Sequence, residues 1–324
     1  MRIAILDSYT ADQNELLWTD LHTLGEVRPF ARTSQAQVLE RAAGCETILT
    51  NKVVIDANTI AALTAPTAER RLQYIGVMAT GTNIVDLAAA KAHNVVVTNV
   101  PGYSTESVAQ LVFALLLQLT HDVGGHNHAA KNGAWASSPD FCFFTQRLTE
   151  LAGKNLVIIG MGAIGGAVAR IGTAFGMNII AAATPGSSTP GRMALTEAIA
   201  MADVISLHCP LTPATKHFIN DAFLTNMKRG AIIINTGRGP LLDDLAVVRA
   251  LSDGRLGGLA IDVLTTEPPA AGHPLLDGTT PWAKRVVVTP HIAWGTVEAR
   301  QRLIRCVGAN LAAFIAGKTA NRVA

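Results

Sequence analysis

Residues 155–176 read NLVIIGMGAIGGAVARIGTAFG. An apolar run ends at Gly160-x-Gly162-x-x-Gly165, and a stretch of small and apolar residues follows at helical length. A strand that enters such a glycine turn and a helix that leaves it form the context in which this pattern signals dinucleotide binding. Gly160 permits the tight turn, Gly162 lets the backbone approach a pyrophosphate, and Gly165 lets helix and strand pack closely. The free N–H groups of the first helical turn, near Ala163 and Ile164, would receive the negative phosphates.

The same alternation of short apolar runs and helical stretches extends over the whole chain, which is the pattern of parallel, helix-covered sheets. Downstream strands are expected near 156–160, 178–182, 203–207, 231–235, 258–262 and 286–289, the count of a full dinucleotide-binding domain. Upstream strands are expected at 2–6, 47–50, 73–77 and 95–98, with LAAAKAHN (87–94) as a helix. Pro101-Gly102 marks a break. A long helix then begins near Ser104, with Val108, Leu111, Val112, Leu115, Leu116 and Leu119 at i, i+3, i+4, i+7 spacing. Phe113, Ala114 and Leu117 make its other face apolar too, so it should be buried, either within the chain or in a homodimer formed through residues 104–122. A last helix, roughly 296–315, is long enough to cross back onto the first domain. The expected fold is α/β with two doubly wound parallel-sheet domains. Residues 1–100 with 291–324 form one domain and residues 101–290 the other.

With 324 residues the chain suits two domains. Hydrophobic residues make up 49% and charged residues 15%, and 28 glycines against 5% aromatics suit close helix-on-sheet packing. A net charge of +2, with no basic run longer than two, leaves no electrostatic footprint for nucleic acid or membrane. Cys45, Cys142, Cys209 and Cys306 are scattered, without a CxxC pair, and read as reduced thiols of a cytoplasmic protein. MRIAILDS at the start lacks the apolar core and cleavage site of a signal peptide. Residues 171–191 are uncharged but broken by glycines and prolines, so they read as helix end, strand and loop. His121, His126 and His128 lie in a polar HDVGGHNH stretch with no carboxylate or cysteine at ligand spacing. They read as solvated loop histidines, and no metal is expected.

Arg238, Glu267 and His291 each fall just past an expected strand: AIIINT (231–236), GLAIDVL (258–264) and VVVTP (286–290). Ligands of open α/β sheets bind outside the carboxyl ends of the strands. A cation, a carboxylate and an imidazole delivered there suit carbonyl chemistry on an anionic substrate. With the glycine turn they point to hydride transfer. Between Gly165 and Thr196 there is no acidic residue, and Ala183 stands where an NAD site places the carboxylate that holds the ribose 2′-hydroxyl. Thr184, Ser187 and Ser188 offer hydrogen bonds to a 2′-phosphate, and Arg192 offers charge. The cofactor is therefore NAD(P), leaning to NADP.

These residues resemble the D-2-hydroxyacid dehydrogenases over essentially the whole chain. The resemblance is carried by GMGAIGGAVAR (160–170), SLHCPLTPATKHFIN (206–220), INTGRGPLLDDLAVVRAL (234–251), AIDVLTTEPP (260–269) and TPHIAWGT (289–296). A narrower likeness to the glycerate dehydrogenases, or hydroxypyruvate reductases, rests on MATGTNIVDLAAAK (78–91), NVPGYSTESVAQLVFALLL (99–117) and SPDFCFF (138–144). The resemblance implies a Rossmann coenzyme domain inserted in a flavodoxin-like substrate domain. It implies that Arg238 grips the substrate carboxylate, that His291 is the acid–base residue and that Glu267 orients it and favours the imidazolium. Thr80 and Gly81 resemble a substrate-carboxylate loop, with Lys52 near the same place. His208, Cys209 and Pro210 would lie beside the adenosine half of the cofactor, and Thr236 and Asp262 beside the nicotinamide; Asp262 reads equally as a strand-end cap. Gly237 stands where alanine or serine is commoner.

The substrate class implied is a small 2-keto acid, hydroxypyruvate or glyoxylate. A bulkier 2-keto acid is the alternative within the same chemistry. A nucleotide-sensing corepressor-like protein is the alternative outside it, and this chain shows neither the basic surface nor the extra tails of one.

Overall fold

The computed structural model describes residues 1–12, 18–66, 70–187 and 189–324. Ser188, one of the expected hydroxyl donors, lies outside them. The chain forms two compact units, Met1–Ser104 with Gly295–Ala324, and Thr105–Trp294.

The first unit carries β1 (Arg2–Ile5), β2 (Glu26–Pro29), β3 (Thr47–Thr50), β4 (Tyr74–Val77) and β5 (Val96–Thr98), all parallel, in the order β2-β1-β3-β4-β5. This is the flavodoxin-like order. The inner strands β3 and β4 are buried along their whole length, as near-continuous apolar runs of a sheet covered on both faces should be. Strand β2 was not anticipated. Its sequence, EVRP, is charged and half-exposed and ends in proline, which suits an edge and carries no apolar signal. The opposite edge, β5, is covered by the chain's own tail: Val323 N–H donates to Val97 O at 2.8 Å and Val97 N–H to Ala324 O at 3.0 Å. The helix Val297–Ile315 belongs to this unit and is capped by Thr296, whose side chain accepts from Ala299 N–H.

The second unit carries β6 (Asn155–Ile159), β7 (Asn178–Ala182), β8 (Val204–Leu207), β9 (Ala231–Asn235), β10 (Leu256–Ile261) and β11 (Val286–Val288). They are parallel and ordered β11-β10-β9-β8-β6-β7. The six strands are those the apolar runs mark, β7 and β9 with the expected ends and the others with ends moved by one or two residues. A single strand lies beyond β6, so the order repeats that of the first unit with one strand added. The order reverses at β6, which opens a crevice between the carboxyl ends of β6 and β8, where such sheets bind ligands.

Side chains alternate across this sheet. Leu156 and Ile158 face the helices Thr105–His121 and Ala163–Ala174, whereas Val157 and Ile159 face Leu195–Met201, Asp221–Asn226 and Asp244–Ser252. The helix Thr105–His121 buries Ala109, Val112, Phe113, Leu115 and Leu116 inside its own unit, while Gln110 and Ala114 stay exposed. Residues 171–191 divide into a helix end, β7 and a turn, and among the described residues no single helix is long and apolar enough to cross a membrane.

The loop reading of the histidine stretch is corrected. His121 ends one helix, and His126 and His128 lie in a second, Val123–Lys131, whose first turn is capped by the Asp122 side chain accepting from Gly125 N–H. The paired glycines disguise the helix; the cap starts it. Among the described residues no group of three or more His, Cys, Asp or Glu side chains is placed to hold a metal ion.

Candidate active site

The site is built at the carboxyl edge of the second sheet. Strand β6 ends at Gly160, whose φ of +100° suits glycine. A Cβ there would sit 2.4 Å from Cys209 N and 2.5 Å from His208 C, so the turn lies directly against the chain leaving β8. At Gly165 a Cβ would meet Gly160 O at 2.3 Å, which enforces the close helix–strand packing. Gly162 differs: nothing lies within 4 Å of its Cβ position. It precedes the helix Ala163–Ala174, which has no side-chain cap. The N–H groups of Ala163, Ile164 and Gly165 therefore point, uncapped, at an open cradle that a side chain would fill, and this fits a dinucleotide pyrophosphate.

Strand β7 ends at Ala182, and the chain then turns through Thr184–Ser187, with Ser187 N–H donating to Thr184 O at 3.0 Å. It returns to pair Met193 with Ala182, and Ala183 N–H donates to Met193 O at 2.8 Å. That pairing brings Arg192, ten residues beyond Ala182 in sequence, back beside the end of β7. Arg192 is half-buried and makes no ion pair among the described residues. The sequence offered Arg192 as a charge for this turn; the backbone pairing that returns it to the strand end is seen only in the structure.

Past β8, His208 N–H donates to Ile159 O at 2.8 Å, and its Nε2 lies 2.8 Å from Ser206 Oγ. Desolvation of the ring pushes its pKa down to about 4, so the imidazole is neutral near pH 7. The Cys209 thiol is buried in the core, and burial pushes its pKa up to about 11. Only the backbone of Cys209 reaches the crevice; Pro210 is exposed.

Strand β9 ends in Asn235, fully buried, whose amide nitrogen donates to Arg238 O at 2.9 Å and whose oxygen accepts from Gly237 N–H at 3.0 Å. These two bonds shape the turn that presents Arg238. The guanidinium is exposed, donates to Gly237 O at 2.8 Å and makes no ion pair among the described residues. An unpaired arginine fork at a strand end suits a carboxylate. Thr236 is 9% exposed, and its hydroxyl oxygen is buried with no hydrogen-bond partner among the described residues. Buried polar groups are normally paired, so this hydroxyl fits a ligand polar group, the nicotinamide carboxamide in the expected arrangement.

Asn235 and Gly239 carry roles that sequence reading did not assign. A Cβ on Gly239 would fall 2.0 Å from Leu264 C and 2.4 Å from Thr265 N. The arginine turn is thus pressed against the chain leaving β10, which leads to Glu267. The Gly-Arg-Gly-Pro run is the only sequence signal for it.

Glu267 and His291 meet. His291 Nδ1 lies 2.5 Å from Glu267 Oε2, and the other carboxylate oxygen accepts from Leu264 N–H at 2.9 Å. The carboxylate oxygen fits a proton on Nδ1, which leaves Nε2 as the ring nitrogen not engaged by Glu267. His291 adopts φ +56°, left-handed for a non-glycine residue. Asp262 is 1% exposed, and its carboxylate accepts from Thr289 Oγ1 (2.6 Å), Ile292 N–H (2.9 Å) and Ala293 N–H (2.8 Å). Burial pushes its pKa up, and those hydrogen bonds oppose the shift. These bonds make Asp262 a cap on the strand end, at the position expected to border the nicotinamide.

The substrate-loop residues lie in the first unit. Lys52 follows β3; Thr80 and Gly81 follow β4, also at the carboxyl edge of their sheet. Thr80 Oγ1 donates to Val100 O at 3.0 Å, and Asn99 Nδ2 donates to Thr80 O at 2.7 Å. Asp7 organises the turn of Lys52 by accepting from the backbone N–H groups of Asn51, Lys52 and Val53.

Residues 113–293 match the family model of the D-isomer specific 2-hydroxyacid dehydrogenase NAD-binding domain. The chain is 38% identical to a hydroxypyruvate reductase of Blautia hydrogenotrophica, with all of this chain and 99% of that protein covered. It is 39% identical to a glycerate dehydrogenase of Methylorubrum extorquens, with 89% of this chain and 88% of that one covered. Among solved structures, the TT0316 protein of Thermus thermophilus superposes with a TM-score of 0.84 at 34% identity over the full length of both chains. A dinucleotide-fold sheet that carries an imidazole–carboxylate pair and an unpaired arginine at its carboxyl edge, together with these likenesses, places the chain in the D-isomer specific 2-hydroxyacid dehydrogenase family, nicotinamide-linked oxidoreductases of hydroxy acids.

Proposed function

We propose that this enzyme reduces hydroxypyruvate or glyoxylate to the corresponding hydroxy acid, D-glycerate or glycolate, at the expense of NADPH. The observation that carries the chemistry is the 2.5 Å pair of His291 and Glu267 in a sheet edge that also presents the unpaired Arg238. Arg238 takes the substrate carboxylate through its fork and polarises the carbonyl. His291, as imidazolium, donates the Nε2 proton to the carbonyl oxygen as that oxygen gains charge, and reclaims it in oxidation. Glu267 orients the ring through its contact with Nδ1. The bound nicotinamide supplies the hydride. Gly160, Gly162, Ala163, Ile164 and Gly165 hold the pyrophosphate; Thr184, His208, Cys209 and Pro210 border the adenosine half, and Thr236 and Asp262 the nicotinamide half. Lys52, Thr80 and Gly81 are proposed as substrate-binding residues.

The unit Thr105–Trp294 serves as the coenzyme domain, and the discontinuous unit as the substrate domain. NADPH is favoured by the absence of an acid at Ala183 and by the return of Arg192 to the end of β7. The small substrate is favoured by the likeness to a hydroxypyruvate reductase and a glycerate dehydrogenase. Four free thiols suit a reducing, cytoplasmic setting. A homodimer is proposed as well, on the exposed apolar surface treated in the Discussion.

Steady-state turnover of hydroxypyruvate, glyoxylate and phenylpyruvate, each with NADH and NADPH, tests the reading. The highest kcat/KM is expected for hydroxypyruvate or glyoxylate with NADPH. A preference for phenylpyruvate would move the substrate to the bulkier class. No turnover of any of them, with nucleotide still bound, would overturn the enzyme assignment for these acids.

A further inference from the structure

His291 keeps a left-handed backbone, φ +56°, a conformation that a non-glycine residue holds only where its surroundings over-determine it. Asp262 supplies one side of that constraint. Its backbone carbonyl accepts from His291 N–H at 2.8 Å, and its carboxylate takes the next two N–H groups, those of Ile292 and Ala293. The carbonyl of Ala293 is held from elsewhere. Ser107, near the start of the helix Thr105–His121 and 5% exposed, donates its hydroxyl to Ala293 O at 2.6 Å across 186 residues of sequence. Ser107 is the third residue of its helix, and its hydroxyl reaches out to another segment. Both backbone polar groups of Ala293, two residues beyond the imidazole, are therefore fixed, the N–H by Asp262 and the C=O by Ser107.

We infer that Ser107 is a positioning residue for His291: by pinning Ala293 it holds the histidine segment in the left-handed turn that keeps the imidazole on Glu267. The inference rests on the reading of His291 as the acid–base residue. The unit containing His291 ends at Trp294, one residue past the pinned position, so Ser107 fastens the segment at its exit. Without the hydroxyl, Ala293 O is a buried acceptor left unpaired, and the turn relaxes to satisfy it. The ring then loses its alignment, and misplacement by an ångström is enough to slow the chemistry.

The test is a double-mutant cycle on kcat with the full-length enzyme, with dinucleotide binding followed by fluorescence. Ser107→Ala should lower kcat on the order of ten- to a hundredfold with the dinucleotide Kd unchanged. Ser107→Thr, which keeps the donor, should recover most of that loss. In a Glu267→Gln background, where the ring has already lost its carboxylate, Ser107→Ala should add less than about threefold. Wild-type kcat in Ser107→Ala would overturn the inference. So would loss of dinucleotide binding together with turnover, or a full multiplicative effect in the Glu267→Gln background; each would mean that Ser107 acts independently of the imidazole. His291→Ala with undiminished turnover would instead overturn the acid–base reading itself.

Discussion

In the proposed reading, Ala183 is the side chain that selects between two cofactors that differ by a phosphate. A carboxylate at this strand end would bind a ribose 2′-hydroxyl and repel a 2′-phosphate; a methyl group does neither. The selection then passes to what the following turn supplies, and backbone pairing of Met193 with Ala182 supplies Arg192. Ala183→Asp should therefore lower the NADPH/NADH ratio of kcat/KM by tenfold or more, since like-charge juxtaposition costs about 2 kcal/mol or more. A ratio unchanged by the substitution would show that Ala183 does not face the ribose. The carboxylate's absence was legible in the sequence, because a missing acid can be read at a counted distance from a glycine turn. Arg192 was named there as well, but the Met193 pairing that returns it to the strand was not, because no rule of spacing states where such an excursion comes back. Thr236 lies between these cases: its position was legible through resemblance, whereas its unpaired, buried hydroxyl is visible only in three dimensions.

At the scale of elements, the glycines divide by what their missing side chains face. Gly239 is surrounded by backbone of Leu264 and Thr265 at 2.0–2.4 Å from a Cβ position, and backbone cannot swing aside. Gly162 faces open space. Gly239→Ala should destabilise the protein by about 1–3 kcal/mol through overpacking and should lower kcat, because the arginine turn and the chain toward Glu267 are forced apart. Gly162→Ala should leave the melting temperature unchanged and weaken dinucleotide binding. Equal melting temperatures for both variants in the absence of nucleotide would show that the contact at Gly239 is not close. Elements with an interior were readable from sequence: β3, β4 and β6–β10 are apolar because helices cover them. Strand β2 was not, because an edge strand is specified by its neighbour's free hydrogen-bonding groups rather than by its own side chains. The helix Val123–Lys131 escaped for a related reason: Gly124 and Gly125 lower its propensity, and one Asp122 cap restores its start. The placement of the three proposed catalytic residues was readable because each follows a strand whose apolar run is unambiguous; the hydrogen bonds that hold their turns, from Asn235, Asp262 and Ser107, connect segments that no local pattern relates.

For the whole molecule, the long helix was expected to be buried, and the structure accounts for most of that burial inside the unit that carries it. The apolar surface left over lies just after it. Trp135, Phe141 and Phe144 are 58%, 90% and 68% exposed, with Val123 and Leu148 also exposed. Large apolar side chains exposed along one short segment of chain suit an interaction site, and aromatic residues are the type that interfaces concentrate. The proposed homodimer then runs through residues 123–148 and extends onto the helix face marked by Gln110 and Ala114. Sedimentation should give twice the 34.0 kDa chain mass. The pair Phe141→Ser with Phe144→Ser should shift it to the monomer, since truncation of central aromatic anchors costs about 2 kcal/mol or more each. Ala114→Arg separates the two parts of the surface. Dissociation by that variant places the helix in the seam, as its all-round apolar pattern suggested; an intact dimer confines the seam to the segment after it. A wild-type chain that sediments as a monomer at micromolar concentration would remove the dimer altogether and leave the aromatic cluster to another partner.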